Sequence, residues 1–235
     1  MINLFQKIHR KLKHEIYLLD QLRIKNANER RERNLNDAKK ILGFGERFDP
    51  IIAKKIKWVE HNHSTRYNFA KKFICKSDTV LDIACGTGYG TKLISENCKK
   101  IIGVDISQTA IRYACKTYKN KNIKYILSSF FTYNKVVDVV ISFETIEHIE
   151  VSSFKMILNH LNNLAKKKII GSVPYNETSG DNPYHLHFNL IEDGLCFFKK
   201  YGKINFYYQT NEGKIYNNFP HYKTIQNLIF VVDKH

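Results

Sequence analysis

Short apolar runs alternate with amphipathic stretches over most of the chain. The apolar runs have the length and continuity of buried parallel strands, and the stretches between them place apolar residues three and four positions apart, as in helices. The runs cover residues 80–83, 100–105, 124–127, 136–143, 168–173, 203–209 and 227–233. The pattern predicts an α/β fold with a Rossmann-like, seven-stranded, mostly parallel sheet and helices on both faces.

The first 42 residues follow a different pattern. Apolar residues form one stripe of a basic helix over residues 1–24, and residues 25–40 are a charged run. Glycine and proline over residues 43–50 break the pattern, so we predict an N-terminal helical extension over residues 1–42 and one domain over 43–235. The stripe has three interpretations: it packs on its own domain or on a second copy in a homodimer, it docks on a partner protein, or it makes peripheral contact with an acidic membrane.

Composition and charge narrow the class of protein. The chain has 235 residues, no apolar run of about 18 residues that would span a membrane, and no apolar segment typical of a signal peptide. Five cysteines without a Cys-x-x-Cys pair indicate reduced thiols and a cytoplasmic location. The net charge of +16 favours an anionic partner, such as a nucleic acid, a membrane surface or a phosphorylated substrate, although generic surface lysines would give the same total.

The first strand ends in a glycine-rich loop that contains Gly86, Gly88 and Gly90. Glycines allow the backbone to turn with positive φ and allow a ligand to approach the main chain. We expect a helix to begin near Thr91, so that its free N–H groups face the same crevice. The second strand ends in Asp105, 19 residues after Gly86, where a carboxylate suits the two hydroxyls of a ribose.

The position of Asp82 separates two cofactor classes. An acid inside the first strand is unusual for NAD sites and suits the ammonium group of a ligand. The spacing Asp-x-x-Cys-Gly-Thr-Gly-x-Gly followed by Gly-Val-Asp-Ile-Ser resembles class I S-adenosyl-L-methionine (SAM)-dependent methyltransferases. The resemblance implies SAM as the cofactor and a set of contacts on the loop and strand ends: Asp82, Ala84, Gly86, Gly88, Asp105, Ile106 and Phe143.

Residues before the first strand extend this resemblance. The loop element Gly-Glu-Arg-Phe-x-Pro, followed by Glu-His-x-His and Arg-Tyr within a helix predicted over residues 51–75, is similar to a bacterial branch associated with surface-polysaccharide assembly. The resemblance covers about residues 43–195 and implies that Arg66 and Tyr67 contact SAM; the alternative is a surface helix.

Family members often have an acid after strand three for the adenine amine. Here Ser129 would supply a hydroxyl and Phe130 a stacking ring.

Strand four ends in Glu144, Glu147 and His148, and the loop after strand five contains His185. In one interpretation His148, or a later histidine, is the base that takes a proton from a substrate hydroxyl, and Glu144 or Glu147 orients it. In a second, Glu144, Glu147, His148 and His185 hold Mg²⁺ or Mn²⁺, because the Glu-x-x-Glu-His…His order is similar to that of small-RNA 3′-end 2′-O-methyltransferases. In a third, Glu147 and His148 cap a helix and line the pocket.

These features favour a SAM-dependent O-methyltransferase. The expected acceptor is a hydroxyl or phosphate-type oxygen of a glycan or sugar-nucleotide precursor of bacterial capsule or lipopolysaccharide. The alternatives are a metal-assisted RNA 2′-O-methyltransferase, a small-metabolite or quinone O-methyltransferase, and a non-catalytic scaffold with a SAM fold. A nucleic-acid substrate is less favoured, because the C-terminal part has no recognisable RNA-binding module.

Overall fold

The computed structural model describes residues 48–55, 62–149, 151–175, 194–221 and 224–235. Two compact units divide between Trp58 and Val59. The predicted extension over residues 1–42 and its boundary lie outside the described residues, as does His185. In the first unit the short helix α1 (Pro50–Lys55) begins after Asp49, whose carboxylate caps it by accepting the backbone N–H of residues 51 and 52.

The second unit contains one sheet with helices between its strands. The strands are β1 (Thr79–Ile83), β2 (Lys100–Asp105), β3 (Ile123–Leu127), β4 (Val137–Phe143), β5 (Ala165–Pro174), β6 (Gly202–Thr210), β7 (Ile215–Tyr216) and β8 (Ile225–Lys234). The α-helices are α2 (Asn62–Ala70), α3 (Tyr89–Ser95), α4 (Gln108–Thr117) and α5 (Phe154–Leu164). Short 3₁₀ helices cover Lys71–Phe73, Ile146–His148, Val151–Ser153 and Cys196–Lys200.

The strand order is β3-β2-β1-β4-β5-β8-β6-β7. Strands β1 to β5 are parallel, and β8 is antiparallel to β5. The predicted fold class is confirmed, but the described part of the chain contains eight strands rather than the seven predicted. The additional strand β7 has two residues, which pair with Tyr208 and Gln209, and two residues are too few to produce a periodic pattern.

The order of strands positions the site. The chain passes from β1 outward to β3 and then returns to β4 on the other side of β1, so the crevice between β1 and β4 is the topological switch point where ligands bind in such sheets. Both faces of the sheet are covered, since the consecutive residues Val139, Val140 and Ile141 are all 0% exposed. On one face, Leu158 and Leu161 of α5 pack into the core, and their full burial stabilises the fold by about 1.5–3 kcal/mol each.

Helix boundaries differ locally from the predictions. Of the helix predicted over residues 51–75, the structure describes α1 and α2, and residues 56–61 lie outside the described ranges. Helix α2 is followed by the 3₁₀ turn Lys71–Phe73, and Ile74 is extended. Helix α4 begins after Ser107, whose hydroxyl caps it by accepting the N–H of Ala110. Within the described ranges no helix is long and apolar enough to cross a bilayer.

Candidate cofactor and acceptor site

The glycine-rich loop makes a tight turn at the end of β1. The N–H of Gly88 donates to the carbonyl of Cys85 (3.0 Å), and φ is 55° at Gly86 and 83° at Gly88. Ala84 also has a positive φ of 58°, which L-residues other than Asn and Asp rarely adopt. Gly88 is the N-cap of α3, which begins at Tyr89, two residues earlier than predicted. The loop therefore places main-chain groups, without side chains at Gly86 and Gly88, at the mouth of the crevice.

Asp105 ties this loop to the end of β2. One carboxylate oxygen accepts the N–H of Gly86 (2.9 Å), and the other accepts the N–H of Ser107 (2.8 Å). Its carboxylate is thus held in one orientation at the carboxyl edge of the sheet. A carboxylate fixed in this way at the end of the second strand fits the predicted role of Asp105 in binding a ribose diol.

Asp82 is almost fully buried below the loop. The Thr91 hydroxyl donates to one of its oxygens (2.6 Å), and the Tyr67 hydroxyl donates to the other (3.3 Å). Burial raises the pKa of Asp82 to about 7, although the hydrogen bonds from Thr91 and Tyr67 oppose this effect. Burial, followed by the nearby Asp82 charge, raises the pKa of Tyr67 well above its usual value, so Tyr67 is a stable hydroxyl donor.

Apolar side chains are exposed at the neighbouring strand ends. Ile106, directly after β2, is 71% exposed, and Leu127, the last residue of β3, is 49% exposed. Leu127 lies opposite Asp105 in the register of the two strands. Exposed apolar residues beside a polar anchor are typical of an adenine-binding surface. Of the two residues predicted for adenine, Ser129 caps a turn by accepting the N–H of Thr132, and Phe130 packs on the core; their cofactor roles stay predictions.

Glu144 occupies the corresponding position at the end of β4. Its φ is 49°, a second non-glycine residue in the left-handed region at this edge. The Ser172 hydroxyl donates to one carboxylate oxygen (2.7 Å), and the Asn227 amide donates to the other (2.8 Å). Strained backbone held by surrounding structure is common at functional sites. The half-buried Glu144 carboxylate is thereby fixed between β4, β5 and β8.

Arg66 supports Glu144 indirectly, through the side chain of Asn227. Its side chain is 2% exposed, and its Nη1 donates to Asn227 (2.7 Å) and Gln209 (2.9 Å). Its Nη2 lies 2.9 Å from Nδ1 of His63. Burial, and secondly the charge of Arg66, lower the pKa of His63 well below its usual value. A neutral His63 accepts from the guanidinium. The predicted contact of Arg66 with SAM stays a prediction, because its described partners belong to this network.

Tyr67 and Phe143 pack against each other in the crevice. Their ring centroids are 5.0 Å apart at an interplanar angle of 80°, and Tyr67 also contacts Tyr89 edge-on at 5.5 Å. Helix α2 is thus connected through Tyr67 to the first residue of α3, directly after the glycine-rich loop. Both residues lie at the cofactor crevice, and their direct contact with SAM stays a prediction.

Glu147 and His148, two of the catalytic residues predicted after β4, differ in their exposure to solvent. Glu147 is 0% exposed, whereas His148, the next residue on the same 3₁₀ turn, is exposed. Among the described residues no group of three or more His, Cys, Asp or Glu side chains could hold a metal. Glu144, Glu147 and His148 do not form such a group there, and His185 lies outside the described ranges. The metal site and the base therefore stay predictions.

Comparisons with known proteins agree with this geometry. Residues 80–168 match the family model of a methyltransferase domain. A "Probable S-adenosylmethionine-dependent methyltransferase" of Mycolicibacterium smegmatis is 29% identical over 106 residues, which cover 45% of this chain and 40% of that protein. A protein of Mycobacterium tuberculosis with the same description is 29% identical over 106 residues, covering 45% and 38%. This chain therefore matches about two fifths of the length of these relatives.

Solved structures show the same fold. The N-methyltransferase NodS from Bradyrhizobium japonicum, in complex with S-adenosyl-L-homocysteine, aligns with a TM-score of 0.60 and 13% identity, over 88% of this chain and 97% of that one. The match and the fold together support a SAM-dependent methyltransferase domain over residues 80–168, with the fold of class I SAM-dependent methyltransferases and with SAM as its cofactor.

The residues of the methyltransferase domain fit this cofactor. Ile106 and Leu127 offer exposed apolar surface for adenine, Asp105 is fixed at the position predicted for the ribose, and Asp82 lies under the loop. The contacts of these residues with SAM stay predictions. SAM supplies a methyl group that its sulfonium has already activated for transfer, so such a domain has mainly to bind the donor and orient the acceptor.

Sequence reasoning missed several residues of this site. Thr91, Ser172 and Asn227 each bond a carboxylate that the sequence did predict. The available signal was a polar residue interrupting an apolar run close to the carboxyl edge, as Ser172 does in β5 and Asn227 does in β8. Their partners were not visible, because Asn227 meets Glu144 only through the pairing of β8 with β5.

Proposed function

We propose that this protein is an O-methyltransferase that transfers the methyl group of SAM to a hydroxyl or phosphate-type oxygen of a glycan or sugar-nucleotide precursor of bacterial surface polysaccharide. The observation that carries the proposal is the fixed Glu144 carboxylate. A hydroxyl nucleophile arrives with a proton, and a pre-oriented carboxylate at the switch point is suited to accept a hydrogen bond from it.

The hydrogen bonds around Glu144 support this role. Ser172 and Asn227 each use one acceptor position of a different carboxylate oxygen, which leaves a second position on each oxygen for an incoming hydroxyl. The Arg66 guanidinium donates to the Asn227 carbonyl and so aligns the amide that holds Glu144. In this arrangement Glu144 orients the acceptor hydroxyl, and exposed His148 is the candidate for taking the proton to solvent.

A cluster of aromatic rings supports an acceptor with a flat or ring-shaped apolar face. Tyr175, Tyr208 and Phe219 lie beyond the end of β5 and at the end of β6, with ring centroids 5.2–6.0 Å apart. His221 contacts Phe219 at 5.1 Å, and Phe219 is 37% exposed. Aromatic faces of this kind pack against sugar rings, and they lie at the same edge of the sheet as Glu144.

The test is a transfer assay with labelled SAM and three acceptor classes: a panel of nucleotide sugars, short RNA duplexes with free 3′ ends, and a catechol as a quinone-precursor mimic. We expect label on a nucleotide sugar, as an ether that withstands mild alkali. Label only on RNA or only on the catechol would contradict the glycan assignment, and each would identify one of the alternatives. Repeating the assay with EDTA tests the metal interpretation.

The variant Glu144→Gln tests the site. We expect its kcat to fall about 100-fold, because an amide presents a donor where one oxygen had accepted, while the Kd of SAM stays within about twofold. Glu96→Gln is the matched control, since Glu96 is exposed after α3 and lies away from the crevice. Unchanged kcat in Glu144→Gln would remove Glu144 from the mechanism, and absence of SAM binding by the wild-type protein would contradict the enzyme itself.

A further inference from the structure

Exposed lysines gather at the edge of the sheet opposite the cofactor crevice. Because β1 to β5 are parallel, their N-terminal ends share that edge. Lys76 lies shortly before β1, Lys100 is the first residue of β2, Lys121 precedes β3 and Lys135 precedes β4. All four side chains are exposed.

The other half of the sheet continues this row. Lys166 and Lys167 follow the first residue of β5, and Lys200 and Lys203 flank the start of β6. All four are exposed. Strand β8 runs in the opposite direction, so its last residue, Lys234, comes to the same edge, where it lies opposite the first residue of β6. We call this row of residues the lysine edge.

Acidic side chains neutralise only part of the lysine edge. Lys167 contacts Asp78 (2.7 Å) and Asp138 (3.2 Å), and Lys168 pairs with Asp233. No ion pair to a carboxylate involves the other lysines of this edge within the described ranges. The fixed carboxylates of the site, by contrast, all lie at the carboxyl edge. The lysines without a described carboxylate partner therefore give this edge an excess of positive charge.

We infer that the lysine edge binds the anionic phospholipid headgroups of a membrane surface. Neighbouring strands are about 4.8 Å apart, so the lysines form an array that extends across the width of the sheet and suits a planar layer of charge. Val136, 52% exposed next to Lys135, adds an apolar side chain to the array. Lysines near an anionic bilayer attract its headgroups without requiring fixed geometry.

The same residues are less suited to nucleic acids. Sequence-tolerant binding of single strands needs a groove with free aromatic faces for the bases. The rings beside this edge, Phe197 and Tyr201, already lie under the Lys200 ammonium, at 3.8 and 4.8 Å from its nitrogen. The described part of the lysine edge contains no arginine, the residue that grips phosphate with two parallel hydrogen bonds. On a membrane, the cofactor crevice faces the aqueous side, so a water-soluble acceptor can reach it.

Vesicle flotation of the full chain tests this inference. Vesicles are made of phosphatidylcholine alone or with about one third phosphatidylglycerol. We expect binding only to the anionic vesicles at about 0.1 M NaCl. We expect this binding to be lost at about 0.5 M NaCl, because salt then screens the attraction between the lysines and the headgroups over a much shorter distance. Equal binding to neutral vesicles would overturn the inference, as would retention by RNA without binding to either vesicle.

Two charge-reversal triples make the test specific. The first changes Lys100, Lys135 and Lys203 to glutamate, and we expect at least an approximately tenfold weaker partition onto anionic vesicles. The second changes Arg112, Lys155 and Lys214, which are exposed outside the lysine edge, to glutamate. For this triple we expect the partition onto anionic vesicles to weaken by less than about threefold. SAM affinity equal to the wild type in both triples verifies folding. Equal weakening in both would show that net charge alone acts, and would overturn the lysine edge as a surface.

Discussion

The Tyr67 ring occupies the space that a side chain at Gly90 would need, since a Cβ at Gly90 would lie 2.0 Å from Cζ of the ring. Tyr67 comes from α2, and Gly90 is the second residue of α3, directly after the glycine-rich loop. The last glycine of the loop is thus required for packing between helices, whereas Gly86 and Gly88 are required for the turn. One tyrosine joins the segment before the sheet to the cofactor loop.

The first prediction concerns Gly90→Ala. In an open helix this change would stabilise the protein by up to about 1 kcal/mol. Here the methyl group overlaps the Tyr67 ring, so we expect the free energy of unfolding to fall by about 1–3 kcal/mol. Urea denaturation measures the change. In a Tyr67→Ala background the same substitution should be neutral or stabilising, and an equal cost in both backgrounds would contradict the assigned contact.

The second prediction concerns the pH dependence of SAM binding. The pKa of Asp82 is raised to about 7, chiefly by burial, so Asp82 gains its charge between pH 6 and 8. The ionised form attracts the cationic donor. Below the usual pKa of an α-amino group, about 7.7–8, the ammonium itself keeps its charge. We therefore expect the Kd of SAM, measured by calorimetry, to be about five- to tenfold higher at pH 6 than at pH 7.5.

Two variants check the origin of this pH dependence. Asp82→Asn should give a weak Kd that no longer changes over this range. Thr91→Val removes the hydrogen bond that lowers the pKa of Asp82 most, so the midpoint of the profile should move to higher pH. The stability of the fold depends on pH in the opposite direction from SAM binding. Because the pKa of Asp82 is higher in the folded than in the unfolded protein, its contribution to the free energy of unfolding is present below about pH 4 and is lost as pH rises toward 7. A profile that persists in Asp82→Asn would refute the assignment.

The third prediction concerns the opposite edge of the sheet. The backbone N–H of Thr79, with further help from its hydroxyl and Lys167, lowers the pKa of Asp138 to about 2. The contribution to stability is therefore present above about pH 4 and is lost as pH falls toward 2. Asp138→Asn should lower the free energy of unfolding at pH 7 by about 2 kcal/mol. The difference from the wild type should shrink toward pH 3.

Asp233→Asn is the control for this measurement. Asp233 pairs with Lys168, but its side chain is 39% exposed, and solvent screening reduces the value of such a pair to less than about 1 kcal/mol. Thermal unfolding at several pH values compares the two variants. Equal losses for both would mean that the hydrogen bonds from Thr79 do not stabilise the fold as described.

The sheet and the cofactor loop were predictable because they follow from local sequence. Apolar runs such as residues 137–143 have the strand period and length, and the glycines of the loop follow directly from the conformations they permit. Asp82 and Asp105 were predictable for the same reason, since each belongs to a strand end whose position along the chain is visible. The fold class required no contact between distant residues.

The support of Glu144 was not predictable, because it depends on contacts across 28 and 83 residues of chain, to Ser172 and Asn227. The sequence also does not distinguish buried Glu147 from exposed His148, since a short 3₁₀ turn has no apolar periodicity to orient it. The packing of Tyr67 on Gly90 was likewise not predictable, because it joins two helices that are separate in sequence. These features appear only when separate elements are brought together in three dimensions.

The fixed carboxylates at the crevice have a consequence for the exchange of product for donor. SAM carries one positive charge more than S-adenosyl-L-homocysteine, because the sulfonium is lost on transfer. Asp82, Asp105 and Glu144 therefore favour the donor over the product by charge. The ratio of the two dissociation constants is expected to approach one as ionic strength rises, because salt screens this difference in charge.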